Sequence, residues 1–115
     1  MKPIRLQLSR QRGFDLQGIS RLVNGLPAVH CGRPSRFGNM FRVGVDGDAA
    51  QCVERFRCAL QAAKIKSLGT TPQAARILRE IDKLRGKNLA CWCKPCAPCH
   101  VDVLFEFLTR EKKYG

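Results

Sequence analysis

Apolar side chains at Val53, Phe56, Leu60 and Ala63 recur at i, i+3, i+7 and i+10. That is the spacing of one helical face, and it predicts an amphipathic helix from about Ala49 to Ala63. A second stripe, Ala74, Ile77, Ile81 and Leu84, follows Thr71-Pro72. A threonine whose hydroxyl caps free backbone N–H groups, with proline at the first helical position, starts that helix, and Gly86 stops it. Asn88 to Cys93 is a short run that is apolar on both faces, as a central strand covered by helices is. Beyond a proline-punctuated turn, the segment from His100 to about Lys112 is apolar nearly all round at its start and charged at its end. It predicts a helix that begins in the core and ends, at Lys112-Lys113, in solvent.

The front of the chain is less periodic. Ala28 to Cys31 has strand character and runs into Gly32-Arg-Pro-Ser-Arg-Phe-Gly-Asn39, where two glycines and a proline exclude regular structure. Phe41 to Gly44 reads as another short strand and Asp46-Gly47 as a turn. Residues 1 to about 26 are broken at Gly13, Gly18, Gly25 and Pro27. They predict a short strand plus loops, with order that depends on a partner. The expected architecture is α/β: a single small domain with a short, mostly parallel sheet flanked by about three helices. Residues 1–27 form a basic arm, part of or appended to a domain spanning 28–115. No repeat or interdomain linker interrupts it.

A chain of 115 residues buries roughly two-thirds of its unfolded surface, enough for a core without disulfide staples. Seven cysteines are an odd number, Met1-Lys2-Pro3-Ile4-Arg5 leads into no apolar segment of a signal peptide, and no run approaches the ~18 residues of a membrane span. These features predict a cytosolic protein with reduced thiols and no membrane partner. Lys and Arg number 21 against nine acids, for a net charge of +12. Within residues 1 to 45, Asp15 is the single acid among eight basic residues. That imbalance points to nucleic acid, nucleotide phosphates or an acidic protein surface as partner.

Candidate chemistry concentrates between Cys91 and His100, where four of the seven cysteines and one of the two histidines fall within ten residues. A strand end followed by a helix start is where open α/β folds place their sites. One reading is a metal. Cys93, Cys96 and Cys99 keep the two-residue spacing by which a tight turn brings thiolates to one ion, and with His100 they make a tetrahedral Zn2+ set. Cys91 and Cys93, two apart on a strand, share a face. The other reading is thiol and imidazole chemistry at a helix N-terminus, which lowers a thiol pKa and favours anions. Cys99 is then the thiolate or anion-facing cap, His100 a proton carrier, and Asp102 the group that orients them. Either way, the Arg33, Ser35, Arg36 and Asn39 loop has the glycines for close backbone approach and the side chains to bind phosphate. If the strands before Arg33 and before Cys96 are parallel neighbours, both loops leave the same sheet edge and enclose one pocket. A more ordinary reading has Cys91, Cys93 and Trp92 as buried packing, Cys99-His100 as a satisfied helix start, and the arginines as a solvated turn.

Two segments, Cys31-Gly-Arg-Pro-Ser-Arg-Phe-Gly-Asn-Met-Phe41 and Leu84-Arg-Gly-Lys-Asn-Leu-Ala-Cys-Trp-Cys-Lys-Pro95 with Pro98-Cys-His-Val-Asp-Val-Leu104, together resemble the domain of unknown function 4326 family of short bacterial and phage proteins. The resemblance covers about residues 28 to 108. The chain departs from the family pattern at Met40, where proline is usual, and at Cys96, an additional thiol. The resemblance implies no activity. The residues themselves lead to a nucleotide- or nucleic-acid-directed function, enzymatic or not. Their alternative is a non-enzymatic basic adaptor for nucleic acid or an acidic host protein, with zinc serving structure.

Overall fold

The computed structural model describes residues 2–33, 35–66, 70–94 and 96–112, with backbone alone for 110–112. Its elements in chain order are β1 (Arg5–Gln7), α1 (Leu16–Asn24), β2 (Ala28–His30), α2 (Ala49–Lys64), α3 (Pro72–Glu80) with a 3-10 extension (Ile81–Leu84), β3 (Asn88–Cys91) and α4 (His100–Lys112). The protein is α/β: among the described residues, four helices surround a three-stranded parallel sheet in the order β1-β3-β2. Leu89 of β3 stands opposite Arg5 of β1 on one side and Val29 of β2 on the other. Every residue of β3 is buried, which is why Leu89, Ala90 and Cys91 are apolar on both faces. Where β1 and β2 run out, Leu8 N–H and Cys31 N–H donate to the carbonyls of Cys91 and Ala90, each at 2.7 Å. Both flanking strands therefore end level with the C-terminal end of β3.

The core lies against β3 and is built by α2, α3 and α4. Phe56 and Leu60 of α2, Ile77 of α3, Ile81 and Leu84 of its extension, and Val101, Val103, Leu104 and Phe107 of α4 are all 1% exposed or less. Each such side chain contributes roughly 1.5–3 kcal/mol on burial. The two stripes read from the sequence, on α2 and α3, and the apolar start of α4 are the faces that meet here. Thr71 Oγ1 accepts from Ala74 N–H at 3.1 Å, the cap expected of it. α2 starts with a reciprocal capping box: Asp48 Oδ1 accepts from Gln51 N–H, and Gln51 Oε1 from Asp48 N–H, both at 2.8 Å. Across the core surface, Arg57 of α2 donates from Nε and Nη2 to both carboxylate oxygens of Glu106 on α4 at 3.0 and 2.8 Å. The expected exposure of Lys112-Lys113 lies outside the described side chains.

Two local expectations are corrected. Phe41 to Gly44 is a turn, not a strand. Asp46 Oδ2 captures Arg42 N–H at 2.9 Å, and Gly44 and Gly47 take φ of 90° and 132°, which breaks an extended ladder. Leu16–Asn24, read as loop, is the helix α1, closed by Gly25 at φ 77° with its N–H on Arg21 O at 2.9 Å. α1 turns polar residues inward. Ser20 is fully buried and donates to Leu26 O, while Leu22 is 87% and Val23 50% exposed. The inward side serves buried Asn88, whose amide joins Ile4 N–H, Asn24 and Ser20. The N-terminal segment is thereby tied into the sheet through β1 and through Asn88. Among the described residues no helix is long and apolar enough to cross a membrane.

Candidate functional site

Parallel strands send their following loops off the same edge of the sheet. The loop after β2, from Cys31 to Phe41, and the loop after β3, from Trp92 to Cys99, therefore face each other across a cleft of about 160 Å3. Arg33, Asn39, Phe41, Trp92, Cys99 and His100 are among the residues that line it, with Cys91 and Cys93.

The β2 loop is folded on itself. Ser35 N–H donates to Gly32 O at 2.8 Å and Gly38 N–H to Ser35 O at 3.0 Å. A Cβ on Gly38 would stand 2.9 Å from Arg33 Cγ, and one on Gly32 2.8 Å from Trp92 Cδ1. Only glycine admits these approaches, and they seat Arg33 and Trp92 at the rim. Asn39 braces the loop: its Oδ1 accepts from Phe41 N–H at 2.9 Å and its Nδ2 donates to Cys52 O at 3.2 Å. Arg33 is exposed and takes part in no hydrogen bond or ion pair among the described residues. Trp92 is 38% exposed, with the Arg10 guanidinium 4.5 Å from its ring centroid and His30 edge-on at 6.0 Å.

His100 enters from the first turn of α4. Its Nε2 lies 2.7 Å from Cys31 O. A carbonyl only accepts, so Nε2 carries the proton and Nδ1 presents a lone pair. Nδ1 lies 3.8 Å from Cys99 Sγ. The ring meets Phe56 edge-on at 5.3 Å. Burial pushes the imidazole pKa below its ordinary value, against the pull of the Cys31 carbonyl.

The sulfurs of Cys91, Cys93 and Cys99 all lie within 4.8 Å of one another, close enough to hold a metal ion. Cys99 Sγ approaches Cys91 Sγ to 2.9 Å. Hydrogen bonds from Cys91 and then Cys99 push the Cys93 thiol well below its ordinary value. Cys99 is pushed up by its bonds to Cys91 and Cys93 and by burial. Cys31, behind the group, is pushed up to about 12 by burial and by Cys91.

Of the sequence-designated residues, Arg33, Asn39, Cys93, Cys99 and His100 converge on the cleft. Four others do not. Arg36 pairs with Glu80 on α3. Ser35 closes its own turn, its Oγ accepting from Phe37 N–H at 3.3 Å. Asp102 is bound by Arg5 at 2.9 Å, and that arginine also donates to Lys94 O. Cys96 is exposed and outside the sulfur group, and Cys91 stands in it instead. The shared strand face of Cys91 and Cys93 carried that signal; buried packing was the competing reading. The contribution of Trp92 as cleft wall carried no signal beyond its residue type.

The architecture defines a class: a small α/β domain with a cysteine-rich cleft at the carboxyl edge of a parallel sheet. Within that class the chain belongs to the domain of unknown function 4326 family, whose model matches residues 20–110. The match extends over most of α1 as well as both loops. Comparison with curated proteins and with solved structures gave no match.

Proposed function

We propose that the chain binds nucleic acid and draws one nucleotide unit of it into the cleft between the Cys31–Phe41 loop and the start of α4. The observation that carries this reading is the convergence of Arg33, Trp92 and His100 on one cleft at the edge of a parallel sheet. Size favours a polymer over a free nucleotide. About 160 Å3 is below the roughly 300–1,000 Å3 of pockets that enclose a drug-sized ligand, so part of one unit enters and the rest of the ligand lies on the surface. That surface belongs to a chain of net charge +12, suited to phosphates. Arg33, which meets no carboxylate among the described residues, is the phosphate ligand, and the Trp92 indole supplies a stacking face. An acidic protein is the alternative occupant of the same basic surface.

The thiol group supports zinc as a bound ion. Three sulfurs within 4.8 Å provide three ligands of the soft type that zinc takes, and loading deprotonates them. About one equivalent of zinc per chain, lost in Cys93→Ser, is the expected result of metal analysis on protein purified under reducing conditions.

Trp92 is the single tryptophan and so reports on the cleft directly. Titration with a short single-stranded oligonucleotide quenches its fluorescence. Arg33→Ala weakens the interaction about tenfold, the weight of one charge-assisted contact of about 1.4 kcal/mol. Arg36→Ala, which breaks the Glu80 pair outside the cleft, leaves it within about twofold. Absence of quenching at low salt, or equal losses in the two variants, rejects the cleft as the binding site.

A further inference from the structure

A structural zinc ion is closed by four protein donors, whereas a reactive one keeps a position for exchange. Cys91, Cys93 and Cys99 all belong to the cleft wall, and Cys93, the half-buried one of the three, brings the group to its surface. Among the described residues no fourth donor atom joins that group, and Cys31, buried behind it, lies outside as well. Cys96 is exposed and outside the group. Cys52 Sγ donates to Gly47 O at 3.7 Å. His100 is also outside the group: its Nδ1 is near Cys99, its Nε2 is fixed on Cys31 O at 2.7 Å, and Phe56 packs against its ring.

Resting on the zinc reading above, we infer that Cys91, Cys93 and Cys99 hold a three-ligand zinc centre whose fourth position opens into the cleft and exchanges water for a donor atom of the ligand. Charge selects that donor. Three thiolates leave the divalent ion with a net charge of −1, so a phosphate oxygen is repelled while a neutral ring nitrogen is accepted. The nucleotide unit therefore turns its base toward the metal and leaves its phosphate to Arg33. Loading replaces waters of the hydrated ion with three thiolate sulfurs, breaking Zn–O and S–H bonds as the S–Zn bonds form and releasing the thiol protons to solvent. Ligand entry breaks one Zn–water bond and forms one Zn–N bond, with no change in oxidation state.

Cobalt(II) replaces zinc with visible bands that report its ligands, which makes the full-length protein its own assay. Imidazole serves as the neutral nitrogen probe and inorganic phosphate as the anionic one. The expected result is one equivalent of bound Co2+ with sulfur-to-cobalt bands of three-thiolate intensity. Imidazole shifts its visible bands, phosphate at equal concentration does not, and Cys96→Ser gives the same spectra. Full loading with no imidazole shift overturns the open position. A gain of that shift in His100→Ala then identifies His100 as the closing ligand. A loss of sulfur-to-cobalt intensity in Cys96→Ser overturns the three-cysteine assignment. Failure to bind Co2+ or Zn2+ at all removes the zinc reading itself, an outcome separate from a bound but closed ion. A phosphate shift without an imidazole shift refutes the charge argument.

Discussion

Asn88 is fully buried yet leaves none of its amide idle. Its Oδ1 accepts from Ile4 N–H and Asn24 Nδ2, each at 2.9 Å, and its Nδ2 donates to Ser20 Oγ at 2.7 Å and Asn24 Oδ1 at 2.8 Å. Removing such a group leaves its partners buried without bonds, which costs more than the bonds themselves contribute. Asn88→Ala is expected to lower stability by roughly 2–4 kcal/mol, read as a lower urea midpoint at unchanged slope. An unaltered midpoint would show that water replaces the amide. Gly32 has a different duty at the same scale. A Cβ there meets Trp92 Cδ1 at 2.8 Å, so the indole has to move. Gly32→Ala is expected to shift Trp92 emission and weaken oligonucleotide quenching with little change in the unfolding midpoint; an unshifted spectrum would mean the loop yields instead.

At the scale of elements, legibility followed the direction in which each segment buries its apolar face. α2, α3, β3 and α4 turn their hydrophobic stripes inward, so period and spacing located them, and Thr71-Pro72 marked a real helix start. α1 buries Ser20 and exposes Leu22 and Val23, because its inward side serves the Asn88 amide. Its hydrophobic pattern therefore described the wrong face, and Gly18 in mid-helix looked like a break. The turn at Phe41–Gly44 was hidden because the decisive contact, Asp46 on Arg42 N–H, is a side-chain capture that competes with a strand ladder. In the site, Cys93 and Cys99 meet with Cys91 rather than with the Cys96 that the two-residue spacing put between them, and the arginine that leaves the cleft was decided by a partner on α3. Arg36 and Lys83 both bond Glu80. Lys83 first, then Arg36, holds the Glu80 carboxyl below the usual carboxylate range. With the folded pKa depressed, this contribution is present above the unfolded value of about 4.3 and is lost as pH falls through the folded one. The Tm gap between wild type and Glu80→Gln is thus expected at pH 7 and should close on acidification toward pH 3. A gap that persists in acid would assign it to packing.

At the scale of the whole molecule, the charge has to be weighed against where the fold places it. Deleting residues 2–12 would remove Lys2, Arg5, Arg10 and Arg12, but β1 pairs with β3, and Arg5 holds Asp102 and the Lys94 carbonyl. Such a deletion tests the sheet as much as the charge. Point changes separate the two. Arg10 lies over Trp92 and Arg33 lines the cleft beside it, whereas Arg76 and Arg79 lie on the exposed side of α3, outside the cleft wall. On a single strand, each neutralised phosphate contributes about 0.7 to the slope of log K against log salt. Arg10→Ala with Arg33→Ala is therefore expected to flatten that slope by about 1.4. Arg76→Ala with Arg79→Ala, an equal loss of charge, should leave it nearly unchanged. Fluorescence titration at several salt concentrations decides between them. If the two pairs flatten the slope equally, the attraction is a property of net charge alone and the nucleic acid has no fixed path across the cleft.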